Sequence, residues 1–416
     1  MLSKKDFAGS GNKLCQAVSK YSDIYIRLIT TELSKYNYDT DYLLNKTNRS
    51  FLQRLINNAD IIHFKGDDLP EINWFGLKLT NVPVVVTVGG SGFRRNVDKS
   101  VGYSWFGFNK YIERSDLRTT LTPDLNYPDY NGQYIPQTIE CEEKENSFQY
   151  RAIPVIAHSP SNRTKKGTGN IILPALEILK NKGYKFELDL IENVSNKECI
   201  ERKRNANIFI DQISDTGFYG ISALEAMQFG IITMAYVSEL AINQSNEILN
   251  SSNLTVVNTG NSIDSLVKSL ENILNLSEKQ QIKLSEKTKK YCDVIHGEKE
   301  IANKWTSIYK TIYANNIDRI NRAKETQPMT EIPKTDFVKI KIINNKFNGH
   351  VLDYQLYQII EVDYMQAVQF IKKGIAEISN DEVSPVQKLA IDKKLNVVPN
   401  SGWANNISAI NYRSKY

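Results

Sequence analysis

The sequence has 416 residues, 41% hydrophobic and 24% charged, with a formal net charge of +5. That length exceeds what one hydrophobic core serves and that composition excludes wholesale disorder, so two or three folded domains are expected. Apolar runs such as Val82 to Val88 fall far short of the roughly 20 residues a membrane span needs, so none is expected, and the opening MLSKKDFAGSGNK lacks the apolar stretch of a secretory signal. The four cysteines, Cys15, Cys141, Cys199 and Cys292, are scattered without paired spacing, which argues against a disulfide framework or a zinc site and for a reducing cytoplasm. The mild positive charge permits an anionic partner without demanding one.

In chain order the sequence alternates short apolar strands with longer amphipathic helices. Strands are predicted at Ile24 to Ile29, Ile61 to Phe64, Val82 to Val88, Thr119 to Thr122, Ile153 to Ala157, Phe186 to Ile191, Ala206 to Asp211, Ile231 to Tyr236 and Leu254 to Val257. Helices are predicted at Lys13 to Lys20, Ser50 to Asn58, Ile171 to Asn181, Lys197 to Arg204, Ser222 to Phe229, Ser265 to Leu274 and Glu278 to Tyr291. Such alternation implies parallel sheets covered by helices on both faces. The charged, aperiodic stretch Glu140 to Asn146 separates a first domain, 1–145, from a second, 146–320, which ends in a helix around Trp305. A proline-containing polar linker, 321–335, leads to a small α+β module, 336–380, and a tail without period, 381–416. Only MLSKK precedes the glycine-rich stretch, where a full apolar strand is expected, so either the first strand is vestigial or another segment completes the sheet edge; FVKIKII of the C-terminal module could do so, but its own small fold is the favoured reading.

Ligands of open parallel sheets sit at the carboxyl ends of the strands. RTKKGT (163–168) follows the strand ending at Ala157, so Arg163 and Lys166 are expected to bring cations to such an end, where they suit an anionic ligand or form a solvated basic loop. Further on, ANIFIDQISDTGFYGISALEAMQFG reads as strand, glycine-containing loop and helix. Glycines let the backbone approach a ligand closely and free amides at a helix start bind phosphate oxygens. Glu225, one turn inside that helix, would then be placed to accept from a ribose diol.

LEAMQFGIITMA resembles the signature of GT-B glycosyltransferases of the retaining family 4 type, and RTKKGT resembles the basic loop of their donor domain. DFAGSGNKLCQAVSK, NADIIHF, VPVVVTVGGSGFRR and YIPQTIE resemble further segments of that family in the same order, over roughly residues 6 to 312. The resemblance implies two doubly wound Rossmann-like domains with a central cleft and a nucleotide-diphosphate sugar as co-substrate, with no metal and no other cofactor. It assigns Arg163 and Lys166 to the donor diphosphate, with His158 beside them, Glu225 to the ribose, the amides of Phe218, Tyr219 and Gly220 to the phosphates, and Gly9, Ser10 and Gly11 to the phosphate and acceptor across the cleft. It places Gly89, Arg94 and Glu225 at the reacting centre and implies closure about a hinge at Glu140 to Asn146. Retention in this family is usually explained by a front-face reaction in which the leaving diphosphate helps deprotonate the acceptor.

Three positions depart from the pattern: Gly217 stands where the family has its first paired glutamate, Ser161 where it has an arginine, and Gly89 where it has the acceptor-domain histidine. They admit an inactive, binding or virion-associated member. The acceptor reads as a glycan or small-molecule hydroxyl, or as a modified base of phage DNA; the basic balance and a C-terminal module that resembles small phage modules, and could recruit a partner, favour DNA. Arg94 and Arg95 could contact an anionic acceptor, and Trp105, Phe106 and Phe108 either stack a sugar or base or pack in the core. His63 reads as a satisfied structural histidine or a cleft residue with Asp67 or Asp68, and His158 as loop support or ligand contact. His296 and His350 carry no supporting pattern.

Overall fold

The computed structural model describes residues 1–33, 38, 40–45, 48–66, 73–89, 93, 114–126, 130–140, 145–213, 217–249 and 254–326, with five strand segments beyond them described in backbone only. The sequence readings on Arg94, Arg95, Trp105, Phe106 and Phe108, on Asp67 and Asp68, and on the tail lie outside the described residues.

The first domain is built on a parallel sheet. In chain order its strands are β1 (Leu2–Lys5), β2 (Ile29–Glu32), β3 (Tyr42–Leu43), β4 (Ile62–Lys65), the small antiparallel pair β5 (Asn73–Trp74) and β6 (Leu77–Lys78), β7 (Val84–Val88), β8 (Leu117–Thr120) and β9 (Gln133–Tyr134). The main sheet runs β3-β2-β1-β4-β7-β8-β9. LSKK therefore supplies the expected first strand, with Leu2 in register with Ile29 on one side and Phe64 on the other. Its lysines fall at the carboxyl end, where a strand leaves the sheet. The strand expected at Ile24 to Ile29 begins only at Ile29, because the Leu28 amide donates to Asp41 Oδ2 (2.7 Å) instead of to a neighbouring strand.

Alternation along β7 fills both faces of this sheet. Val86 and Val88 join Leu52, Ile56 and Trp74, whereas Val85 meets Leu14, Val18 and Trp305. The helices there are α1 (Ser10–Tyr21) and α2 (Arg49–Asn57).

The second domain repeats the plan with β10 (Val155–His158), β11 (Glu187–Leu190), β12 (Ile208–Ile210), β13 (Ile232–Ala235) and β14 (Val257–Asn258), in the order β11-β10-β12-β13-β14 and parallel throughout. Its helices are α3 (Arg163–Lys166), α4 (Leu173–Asn181), α5 (Asn196–Arg204), α6 (Ile221–Met227), α7 (Glu239–Leu249), α8 (Ile263–Leu274) and α9 (Glu278–His296). One face packs Ile156, Ile208 and Ile232 under α4 and α8, and the other packs Ala157, Phe209 and Phe229.

The closing helices α10 (Glu298–Asn315) and α11 (Ile317–Glu325) lie on the first domain; the sequence reading gave the helix around Trp305 to the second domain and placed residues 321–335, where α11 ends, in the linker. Ile301, Trp305, Tyr309 and Ile312 pack with Leu14, Val18 and Leu28, and Arg319 reaches Asp116 at 2.8 Å. The apolar stripe of α10 fits the surface left open beside α1, which outweighs sequence proximity.

The two crossings between domains meet. Gly297 forms a parallel bridge with Ile139, whose amide donates to His296 O (3.0 Å). Burial pushes His296 down to about 4, so its ring is neutral near pH 7. Its Nδ1 then donates to Gln137 O (2.7 Å) and its Nε2 accepts from the Tyr219 hydroxyl (2.9 Å), which accepts in turn from Tyr291 (2.8 Å). A core of Tyr134, Ile139, Phe218, Tyr219, Tyr291 and Cys292 spans this junction.

Beyond the linker, Phe337–Ile342 pairs antiparallel with Ile359–Asp363 and with Ala376–Ile378, and joins neither parallel sheet. No helix among the described residues is long and apolar enough to cross a membrane.

Candidate functional site

The cleft side of the second domain starts at the end of β10. His158 is fully buried, and burial lowers it to about 4. As a neutral ring it donates from Nδ1 to Ile210 O (2.8 Å) and accepts at Nε2 from Thr168 Oγ1 (2.8 Å). It thus ties β12 to the far end of the basic loop. Asn162 caps α3 by accepting from the Lys165 amide, and Gly167 ends it with φ at 75°. A Cβ on Gly167 would lie 2.1 Å from Ile213 O, so only glycine lets the loop backbone approach the residues after β12 this closely. Ile213 N donates to Lys166 O (3.1 Å) across the same contact.

That approach brings Lys166 inward. Its Nζ donates to Asp211 Oδ1 (2.6 Å) and Gln212 Oε1 (3.0 Å), and Asp211 Oδ2 accepts from the Gly220 amide (2.7 Å). Asp211 is buried. Arg163 turns the other way: half exposed, it forms a bidentate pair with Glu192 (2.9 and 2.6 Å). Glu192 is held below the usual carboxylate range chiefly by that hydrogen bond. Arg163 and Lys166 are therefore separated, Lys166 facing the strand ends and Arg163 the surface.

Glu225 is the centre of a second cluster. Its carboxylate accepts from Lys203 Nζ (2.7 Å) and Asn196 Nδ2 (3.1 Å), and Lys13 of the first domain lies 3.8 Å away. Burial pushes the Glu225 carboxyl up, but Lys203 and then Lys13 outweigh it, and the net shift is downward. Lys203 is likewise depressed by burial and lifted more by Glu225, so both partners are charged. Lys203 also reaches Ser222 Oγ (2.8 Å), which is bonded to Ser159 (2.9 Å), and Asn196 reaches Tyr38 Oη (3.1 Å). Lys13 and Tyr38 belong to the first domain, so the cleft is bridged here.

The facing wall is the turn after β1. Ala8 and Gly9 both take left-handed conformations, with φ at 56° and 67°. A Cβ on Gly9 would sit 2.7 Å from the Tyr38 ring. Asp6 caps α1 by accepting from the amides of Gly11 (2.7 Å) and Asn12 (2.9 Å). Buried Lys65 donates to Ser10 Oγ (2.6 Å) and to Asp6 Oδ1 (3.3 Å). The Gly11 amide is thus engaged within the protein, while the Phe7 side chain is exposed.

Phe218 and Tyr219 are buried and stacked at 4.0 Å between ring centroids. Gly89 follows β7, and a Cβ there would meet Leu121 Cδ1 at 2.4 Å, so the position contributes backbone and not the histidine of the resembled family. Gly217 is similarly enclosed: a Cβ would lie 2.7 Å from Ser238 Cβ. His63, buried on β4, is bonded to Tyr309 (2.7 Å) and Thr87 (2.6 Å) and belongs to the core face. Sequence reasoning missed Asp211, Lys203, Asn196, Lys13, Asp6 and Lys65. Among the described residues no group of His, Cys, Asp and Glu is arranged to hold a metal ion.

No protein-family model and no curated protein matches the sequence. Among solved structures, Anabaena HepE in complex with UDP-glucose superposes with a TM-score of 0.50 at 10% identity, over 74% of this chain and 99% of HepE. A glycosyltransferase from Rickettsia africae gives 0.49 at 14% identity, over 76% and 98%. The UDP-GlcNAc 2-epimerase of Neisseria meningitidis bound to UDP-GlcNAc gives 0.42 at 14% identity, over 75% and 99%. The chain has the GT-B fold, two Rossmann-like α/β domains facing a cleft.

Proposed function

We propose that the protein is a glycosyltransferase that moves a sugar from a nucleotide-diphosphate donor to an acceptor hydroxyl, with retention of configuration. The observation that carries this reading is the meeting of Lys166 Nζ and the Gly220 amide at the carboxyl ends of β10 and β12. A cation and a backbone N–H converging there suit a diphosphate. HepE is crystallised with UDP-glucose in the same fold. Glu225, charged and facing the cleft, supplies the acceptor for the ribose hydroxyls.

In the reaction the acceptor oxygen bonds to the anomeric carbon as the bond from that carbon to the diphosphate oxygen breaks, and the acceptor proton passes to the leaving phosphate. Lys166 offsets the charge that develops on the leaving group, and the two domains hold the acceptor hydroxyl on the same face of the sugar as the departing diphosphate, as retention requires. The acceptor is a glycan or small-molecule hydroxyl, or a modified base of DNA; the net charge of +5 favours the anionic one.

One observation favours a second reading, a binding protein without transfer: the space beside Gly217 is filled by Ser238, so the family's first paired glutamate has no room. A thermal-shift panel of nucleotide sugars separates the outcomes, since a ligand of the folded state raises the melting temperature. A donor that stabilises the wild type, stabilises Lys166→Met less, and is slowly hydrolysed supports the glycosyltransferase. Stabilisation without hydrolysis or transfer supports the binding protein, and stabilisation by no nucleotide sugar refutes the glycosyltransferase and moves the binding protein ahead.

A further inference from the structure

Asp211 holds the two groups that the proposed function gives to the diphosphate. Its separate oxygens accept from Lys166 Nζ at 2.6 Å and from the Gly220 amide at 2.7 Å. An ammonium and an amide converging on two oxygens of one anion is also the contact set of a bound phosphate. The carboxylate cannot leave easily: it is 1% exposed, Gly167 presses the loop onto the Ile213 backbone, and Ile213 N is bonded to Lys166 O. Gln212, next to it, is also committed, accepting from Lys166 and donating to Phe218 O.

We propose that Asp211 is an internal stand-in for the donor diphosphate, and that its fixed negative charge sets the balance between donor and product in the site. The inference rests on the nucleotide-sugar reading above. Asp211 keeps Lys166 and the Gly220 amide in place. An entering diphosphate shares those donors and then lies against the carboxylate. The diphosphate of a nucleotide sugar carries two negative charges, whereas the nucleoside diphosphate product has a terminal phosphate that carries a further charge of about −0.5 to −1 near pH 7. A buried carboxylate beside them disfavours the product more than the donor, because repulsion grows with charge and is screened little inside the protein. Asp211 thereby promotes product release and limits product inhibition.

The test is calorimetric titration of wild type and Asp211→Asn with matched probes: UDP and UDP-glucose, ADP and ADP-glucose, GDP and GDP-mannose. In the wild type the matching diphosphate should bind no more tightly than its sugar conjugate, despite its greater charge. Asp211→Asn should tighten the diphosphate by about tenfold, which corresponds to about 1.4 kcal/mol, and the conjugate by clearly less. A purely structural Asp211 would weaken both probes alike, and that result overturns the proposal. So does a wild type that binds the diphosphate tenfold more tightly than the conjugate, a comparison that stands even if the variant does not fold. Binding of no probe to either protein refutes the nucleotide-sugar reading itself; binding without the predicted asymmetry refutes only the stand-in.

Discussion

Lys203 and Glu225 form an ion pair at 2.7 Å with both side chains almost wholly enclosed, and Lys13 approaches the same carboxylate from across the cleft at 3.8 Å. Burial opposes both charges, and their mutual attraction overrides it. The pair therefore joins α5 to α6 inside the second domain and presents one fixed carboxylate to the first.

Breaking this pair from one side strands the other charge. Glu225→Ala or Lys203→Met is expected to cost about 3–5 kcal/mol of stability, while the double substitution Lys203→Met with Glu225→Leu costs less than the sum. Urea unfolding of the two single variants and the double variant checks this; additive losses would mean that the pair is not coupled.

Gly167→Ala forces a left-handed residue with a side chain onto a carbonyl. The backbone conformation alone costs roughly 1–2 kcal/mol, and the 2.1 Å approach to Ile213 O adds to it. The variant should melt below the wild type, and its nucleotide affinity should fall because Lys166 is displaced. An unchanged melting temperature would show that the loop is not pressed against Ile213.

Gly217→Glu would restore the glutamate of the resembled family in sequence but not in space. With Ser238 Cβ 2.7 Å from the new Cβ, the substitution should lower stability and raise no activity, as read by a melting curve and a donor-hydrolysis assay. Gly217→Glu combined with Ser238→Gly should recover part of the stability.

Stability should fall as pH drops from about 6.5 to about 4. His158 and His296 are each pushed down to about 4 by burial, and His63 is also well below its ordinary value. In that window the unfolded chain binds protons that the folded protein refuses, so unfolding becomes easier with each unit of acidification. Replacing His296 by Gln should flatten part of this slope in urea midpoints measured from pH 7 to pH 4.5; an identical slope would mean that His296 titrates alike in both states.

Most of the parallel strands were legible because strands buried on both faces read as continuous apolar runs, as VVVTV and IFI do. LSKK was legible only as one of two alternatives, a vestigial first strand, since its lysines mask a strand whose carboxyl end opens at the cleft. The placement of α10 was also hidden: its apolar stripe signals a buried face but not which domain covers it. Lys166 and Glu225 could be singled out from their motifs, and the structure puts both at the cleft side of the second domain. Asp211 and Lys203 could not be. A carboxylate at a strand end and one cation among Arg202, Lys203 and Arg204 carry no spacing that says which side chain turns inward.

The central claim is that Lys166 and the Gly220 amide receive a donor diphosphate, and a crystal structure with UDP-glucose, or the nucleotide sugar that wins the thermal panel, tests it most directly. The account predicts phosphate oxygens within hydrogen-bond distance of Lys166 Nζ and Gly220 N, with the ribose hydroxyls at Glu225. A nucleotide bound elsewhere, with no phosphate oxygen near Lys166 Nζ or the Gly220 amide, would contradict it.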